Sequence, residues 1–143
     1  MSRVFVAAPI HFPDFHVNRH EYALLIGARR AEAERVPFVV VAPKSWSPQV
    51  AKCHENVDAW VAEYPGCRAV RGWVTLHAFG LGMRLTAHSV FEGADGALFD
   101  ITPLENEHYR QGMRFVRHIG DEQSFNDLRA ASVFLDCPNW LDT

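Results

Sequence analysis

The chain has 143 residues, of which 48% are hydrophobic and 22% are charged, and its formal net charge is −3. This length and composition suit one globular domain with its own core, so we expect a single domain over residues 1–143. The acidic balance and the dispersed basic residues argue against nucleic acid as the main partner. No apolar stretch reaches the length of a membrane span, so no membrane partner is expected.

Cysteine usage and the N-terminal sequence both bear on the cellular compartment. The N-terminus lacks the charged leader and long apolar region of a signal peptide. The cysteines are odd in number and widely spaced, at Cys53, Cys67 and Cys137. This pattern is typical of reduced thiols, although one disulfide is compatible with it. We therefore expect a cytoplasmic protein.

The first 43 residues predict a strand, a helix and a second strand. The run "RVFVAA" predicts a strand over residues 3–8. Asn18 with Glu21 three residues later forms a capping-box pattern, and the helix formers that follow predict a helix to about Arg35. The β-branched run over residues 37–43 is bounded by prolines and predicts a short strand.

A second helix is predicted from Ser47 and Pro48, because serine is a good N-cap and proline suits the first helical position. Cys53 would then lie in the second turn, on the apolar stripe of the helix. Alternatively, residues 47–51 form a separate turn and the helix begins near Lys52. That start would place Cys53 close to the positive end of the helix dipole.

From residue 67 onward the pattern changes to the alternation typical of strands. Strands are predicted over residues 67–79, 83–92, 97–102 and 113–118, followed by a short helix over 121–132. The tail is expected to pack back through Trp140. Helical elements followed by a run of antiparallel strands predict an α+β fold with N-terminal helices packed on an antiparallel sheet.

Cys53, His88 and Asp100 are the residues that could together form a nucleophilic site. A thiol becomes a strong nucleophile as a thiolate, and a neighbouring imidazole lowers its pKa. The imidazole in turn needs an acceptor that orients it, usually a carboxylate or an amide. The chain supplies the three groups in that order. Each of the three also has an ordinary structural explanation, as a buried thiol, a strand histidine and a turn aspartate.

The predicted hairpin around residues 93–96 gives this arrangement a definite geometry. A loop of three or five residues, with Gly93 or Gly96 at positive φ, would place His88 directly opposite Asp100. Both side chains would then project from the same face. A four-residue loop would shift the pairing by one residue and separate them onto opposite faces.

Several motifs in this region resemble the papain-like transglutaminase superfamily, which includes transglutaminase cores, peptide N-glycanases and arylamine N-acetyltransferases. The motifs are a cysteine early on a helix, a V-x-G-W strand at residues 70–73, "HSV" at 88–90 and "DITP" at 100–103. The resemblance covers about residues 47–103, and the candidate catalytic core extends over about residues 47–118. It implies a papain-like core in which a cysteine, a histidine and an aspartate form a catalytic triad.

The chemistry that the resemblance implies is cysteine-dependent and needs no cofactor. Cys53 would attack a peptide or a small amide, ester or thioester, and the thioester acyl-enzyme would pass its acyl group to water or an amine. His88 would move the proton and Asp100 would fix the imidazole tautomer. Gln49 would assist the Cys53 amide in holding the oxyanion.

Two further residues are candidates for the walls of the site. Asn56 lies one helical turn after the cysteine, and a polar helix face would explain it equally well. Trp73, in the V-x-G-W motif, is either a core residue or a pocket wall.

The residues that flank the cysteine leave a different class of function open. The superfamily often has glycine before the cysteine and tryptophan after it, whereas this chain has Lys52 and His54. This difference favours a non-catalytic module that retains the fold and binds a peptide or small ligand. Helix neighbours point about 100° apart, so His54 is not expected to act as the base for Cys53.

A zinc site is the other chemical alternative, since Cys53, His54, Cys67 and His88 are soft ligands. The short C-x₂-C or H-x₃-H spacings of zinc sites are missing, so no metal site is expected. The oligomeric state has no signature in the sequence.

Overall fold

The computed structural model of the protein describes the backbone of residues 15–141, so the strand predicted over residues 3–8 lies outside the described residues. The elements are α1 (Phe15–Gly27), α2 (Cys53–Glu63), β1 (Arg68–Phe79), β2 (Gly82–Glu92), β3 (Leu98–Phe99), β4 (Phe115–Arg117), α3 (Glu122–Ala131) and β5 (Phe134–Cys137). Helices packed on a curled antiparallel sheet confirm the predicted α+β class.

The first helix has different ends from those predicted. It already includes residues 15–17, so Asn18 lies inside α1 and is not its N-cap. The helix ends at Gly27 and a 3₁₀ turn follows at Arg30–Glu32. The chain leaves the helical path because Glu34 is recruited to the sheet, where its amide and carbonyl both pair with Phe115. Tertiary pairing thus overrides a favourable helix propensity.

The strand predicted over residues 37–43 is wrong. This segment makes one isolated parallel bridge, in which Val39 N donates to Asp100 O at 2.9 Å and Asp100 N donates to Pro37 O at 2.9 Å. Val40 is 88% exposed. Proline lacks the amide that a ladder needs, so prolines at both ends of this segment limit the pairing to a single bridge.

The second helix begins at Cys53 with Lys52 as its N-cap, so the start predicted at Ser47 is wrong and the alternative near Lys52 is confirmed. The break comes from Ala51, whose φ of 63° is left-handed and incompatible with continuing a helix. Cys53 is therefore the first helical residue. Its position at the positive end of the helix dipole favours a negative charge on the sulfur.

The sheet has the order β3-β2-β1-β4, with β5 also pairing with β2. The long β1–β2 hairpin and α3 confirm their predictions. The strands predicted over 97–102 and 113–118 are present but shorter, as β3 and β4. Trp140 is buried, which confirms that the tail packs back, whereas β5 was not predicted.

Two layers of apolar side chains cover the two faces of the β1–β2 hairpin. Trp73, Leu85 and Ala87 pack against α1 and α3 on one face. Val74 and Val90 belong to a second cluster, on the other face, because successive strand residues point to opposite sides. The second helix packs chiefly on β2, where Val57, Phe91 and Ile101 form a third cluster.

The β2 strand has two different partners along one edge. Residues 83–86 pair with β5 and residues 91–92 pair with β3, so the stretch that contains His88 and Ser89 lies between the two. The start of α2 lies against this stretch. Among residues 15–141, no helix combines the length and apolarity needed to cross a bilayer.

Gly72 makes the close packing of β1 on β4 possible. A Cβ atom at this position would collide with the Val116 carbonyl oxygen and with the Phe115 ring. We predict that Gly72→Ala lowers the free energy of unfolding by about 2 kcal/mol or more, because the backbone oxygen cannot move aside without distorting the sheet. Urea denaturation measures the effect. Gly66→Ala is the matched control, since its Cβ would meet no atom within 4 Å, and equal stability of the two variants would contradict the prediction.

Candidate functional site

The structure brings His88 and Asp100 into direct contact. His88 Nε2 donates to Asp100 Oδ2 at 2.8 Å, and both side chains are almost fully buried. The β2–β3 loop is the odd-numbered one predicted, spanning residues 93–97, with Gly96 at a φ of 88°. The register is displaced by two residues from the one expected, so the two residues are diagonal neighbours. A displacement of two keeps both side chains on one face, as predicted.

Asp100 is held by more than the histidine. Oδ2 also accepts from Arg110 Nη1 at 3.0 Å, and Oδ1 accepts from Thr102 N at 3.0 Å. Burial alone would raise the pKa of Asp100, but the hydrogen bond and charge of His88, with Thr102 and Arg110, lower it. The carboxylate is therefore ionised at neutral pH and fixes the orientation of the imidazole.

Arg110 is a site residue that the sequence analysis did not identify. Its guanidinium also pairs with Glu107, at 2.6 Å, and lies 4.2 Å from the centre of the Phe38 ring. It lies in a polar 3₁₀ segment, Glu107–Gly112, without a pattern that would distinguish it from an ordinary surface arginine. Its role becomes visible only when this segment folds over Asp100.

Two imidazoles, those of His54 and His88, lie close enough to the Cys53 thiol to act on its pKa. Because Asp100 occupies Nε2 of His88, the free nitrogen Nδ1 is the one available to the sulfur. Burial alone would raise the pKa of Cys53, but the hydrogen bonds and charges of the two histidines lower it to about 6. The position of Cys53 at the N-terminus of α2 acts in the same direction.

His88 responds to the same contacts in the opposite sense. Burial alone would lower its pKa, but the hydrogen bonds and negative charges of Asp100 and Cys53 raise the pKa to about 10. The two shifts, one downward and one upward, favour a thiolate–imidazolium ion pair at neutral pH.

The second imidazole, His54, has its own support. His54 Nδ1 lies 2.6 Å from Ser89 Oγ, and Arg71 Nη1 donates to the same oxygen at 2.8 Å. Because Arg71 donates to this oxygen, the Ser89 hydroxyl proton is available for His54. Arg71 is in turn held by Asp58 and Glu122. His54 was not expected to act on Cys53. The signal for this contact is the pair of adjacent polar residues His88 and Ser89 in β2, whose side chains point to opposite faces of the sheet.

Asn56 is buried and connects Gln49, in the turn before α2, to Thr102, which lies two residues after Asp100. Its Oδ1 accepts from Gln49 N at 3.1 Å, and its Nδ2 donates to Gln49 O at 2.9 Å and to Thr102 Oγ1 at 3.0 Å. Asn56 therefore positions the backbone around the site. The Gln49 side chain is exposed, and within the described residues only its main chain is hydrogen bonded.

Trp73 is a core residue and not a pocket wall. It is fully buried, and its indole nitrogen donates to Tyr22 OH at 2.8 Å. The register pairs Gly72 with His88 and Trp73 with Ala87, so Trp73 faces the opposite side of the sheet from His88.

Two cavities meet at His88. One, of about 410 Å³, has His88, Asp100 and Arg110 on its wall. The other, of about 880 Å³, lies between the end of β1 (residues 74–78) and the segment 104–113. Within residues 19–141 no group of three or more histidine, cysteine or acidic side chains has an arrangement that could hold a metal ion.

Comparisons of the chain with protein-family models, with curated proteins and with solved structures find no match. The chemistry of these side chains is thus the basis for a functional assignment.

Asn56 gives a test of how the site is held together. We predict that Asn56→Ala lowers the free energy of unfolding by about 2 kcal/mol or more, because it removes three hydrogen bonds, one of them to the buried Thr102 hydroxyl. Chemical denaturation measures this change. Asn126→Ala is the control, since Asn126 accepts one hydrogen bond from Arg129 within α3. A loss for Asn56→Ala no larger than that of the control would show that Asn56 does not hold the site.

Proposed function

We propose that the protein is an enzyme that uses Cys53 for acyl chemistry, with His88 as the general base and acid and Asp100 as the group that orients His88. The observation that carries this proposal is a thiol at a helix N-terminus whose imidazole partner is bonded to a buried carboxylate. This arrangement lowers the cost of forming a thiolate at neutral pH.

A second cysteine in the same molecule shows what burial does without such partners. Burial and the nearby charge of Asp136 raise the pKa of Cys137 to about 12, whereas the pKa of Cys53 is lowered to about 6. Burial acts in the same direction on both thiols, so the difference comes from their neighbours, the two histidines beside Cys53 and the carboxylate of Asp136 beside Cys137. A cysteine that only fills space in the core has no need of them, and strongly shifted pKa values tend to mark functional sites.

The proposed reaction has two halves. The Cys53 thiolate attacks the carbonyl carbon of an amide, ester or thioester, and the carbonyl oxygen becomes an oxyanion. The His88 imidazolium then donates its proton to the leaving group, which departs as the thioester acyl-enzyme forms. Neutral His88 next takes a proton from water or an amine, which attacks the thioester carbonyl. Expulsion of the Cys53 thiolate restores the thiolate–imidazolium pair.

The oxyanion has two proposed donors. The first is the Cys53 main-chain amide, whose N–H is one of those left without an intrahelical acceptor at a helix start. The second is the exposed Gln49 side chain, carried by the turn that Asn56 fixes.

The same proposal includes a papain-like core of the transglutaminase type, with residues 47–118 as its catalytic region. The order of the elements along the chain supports it. Cys53 begins α2, His88 lies in β2, and Asp100 follows β3 directly. Peptides and small amides, esters or thioesters are the proposed substrates, with hydrolysis or deamidation favoured over cross-linking. The three free cysteines support a reducing, cytoplasmic location.

The second candidate is a non-catalytic module that binds a peptide or small ligand in the same place. The observation that favours it is that both cavities at His88 are lined by the histidine but not by Cys53. Lys52 and His54 beside the cysteine, in place of glycine and tryptophan, point the same way.

The pH dependence of Cys53 alkylation by iodoacetamide separates the two candidates. We predict a rate that rises with pH to a plateau with a midpoint near pH 6, because the thiolate is the reacting species. In His88→Ala the midpoint should move toward the free-cysteine value of about 8.5. Peptide mass spectrometry assigns the label, and Cys53→Ser is the control. A midpoint above about 8 in the unchanged protein would leave the binding module as the function.

Removal of His54 should change the Cys53 pKa less than removal of His88. Loss of one hydrogen bond to a charged sulfur weakens the thiolate, so His54→Ala should raise the Cys53 pKa by about 1 unit. Ser89→Ala should change the pKa in the same direction by a smaller amount, because it removes only the support of His54. Stopped-flow alkylation measures both variants, and His108→Ala, at an exposed position, is the control. An unchanged pKa in His54→Ala would show that His88 alone sets the thiolate.

A further inference from the structure

We propose that the substrate carries an anionic group, a carboxylate or a phosphate, which Arg35 and Arg114 bind in the 410 Å³ cavity beside His88. This inference rests on the proposed function, because it assigns the chemical class of substrate to the same site. It begins from the hydrogen bonds of these two arginines.

The two guanidinium groups converge on one main-chain oxygen. Arg35 Nη2 donates to Gln111 O at 3.1 Å, and Arg114 Nη1 donates to the same oxygen at 3.1 Å and to Met113 O at 2.9 Å. Within the described residues, neither arginine is paired with a carboxylate. Two cations brought together by neutral acceptors repel each other, and an anion placed between them would remove that repulsion.

Several other arginines of the described chain are paired with carboxylates, whereas Arg19 and Arg129 also hydrogen bond to neutral acceptors. Carboxylate partners are present for Arg68 (Glu92), Arg71 (Asp58 and Glu122), Arg84 (Asp136) and Arg110 (Asp100 and Glu107). Arg35 and Arg114 differ from these in converging on one oxygen at the wall of the cavity, where their remaining donors can reach a ligand. Guanidinium forks of this kind match the two oxygens of a carboxylate or phosphate.

The remaining charges of the cavity do not neutralise this pair. Asp100 is engaged by His88 and Arg110, and Glu34 has its carboxylate 3.8 Å from Arg117. The cavity therefore has an excess of positive charge. Charge of one sign in a concave, weakly polar site concentrates ligands of the opposite sign.

The walls of the cavity define the rest of the ligand. They are largely apolar and are formed by Val36, Phe38, Val74, Val90, Met113 and Phe115. A volume of about 410 Å³ admits a small molecule or one large side chain. The ligand class is therefore a small anion with an apolar body. His88 lies on the same wall, so this ligand would lie beside the proposed base.

Calorimetric titration of the full chain with three matched probes tests the proposal. The probes are 4-phenylbutyrate, phenyl phosphate and the neutral 4-phenylbutyramide. We expect at least one anion to bind about tenfold more tightly than the amide, and the preferred anion identifies carboxylate or phosphate as the natural group. The double variant Arg35→Gln/Arg114→Gln should lose this preference, and Arg35→Gln alone should lose part of it. Arg68→Gln, an exposed arginine outside the cavity, should retain it.

A second readout links the cavity to the thiol. The anion that binds should also slow alkylation of Cys53 by iodoacetamide at pH 7.5, and the double variant should abolish this protection. Equal affinity for the three probes, no binding of any of them, or a preference that survives in the double variant would overturn the anion site. Binding without protection would overturn its assignment to the substrate. A high pKa of Cys53 would instead refute the proposed function, and it would leave the titration result intact.

Discussion

The carboxylate of Asp100 is buried among groups that lie far apart along the chain, and its negative charge has to be balanced where it lies. An isolated buried charge costs several kcal/mol, so its partners are obligatory. His88 from β2 and Arg110 from the segment before β4 supply the compensating hydrogen bonds, while the main chain of Asp100 pairs with residues 37 and 39. One residue thus fixes three parts of the fold. The state of the thiol follows from it, because a negative Asp100 favours the imidazolium and the imidazolium favours the thiolate.

The alternating direction of the side chains along β2 organises the polar groups around Cys53. Successive strand residues point to opposite faces, so His88 reaches Asp100 on one side while Ser89 meets His54 on the other. The sulfur, at the start of α2, meets both imidazoles where this strand has neither β3 nor β5 beside it. A helix packed on a fully paired strand could reach groups on one face only. The interruption in pairing along β2 is therefore what allows the thiol to be approached from two directions.

Sequence patterns predicted the parts of this molecule that depend on local periodicity. The β1–β2 hairpin and α3 have clear patterns, and the odd-numbered loop places His88 and Asp100 on one face. The start of α2 was harder, since Ser47 and Pro48 form a good local start signal that Ala51 interrupts with a left-handed φ. Arg110 could not be found, because its importance arises from a contact between distant segments. The contact that brings Arg35 to the carbonyl oxygen of Gln111, where it meets Arg114, is equally non-local.

The lowered pKa of Cys53 depends in part on His88, which lies much later in the chain than the cysteine itself. Cys53 is synthesised well before His88, and Asp100 and Arg110 emerge later still, so the growing chain carries the thiol before His88 and Asp100 can act on its pKa. Contacts between such distant residues form late, because long loops must close first. In the unfolded chain we therefore expect the thiol to have a pKa near the free-cysteine value of about 8.5. The contact with His88 that lowers its pKa forms only when the later segments have folded against it.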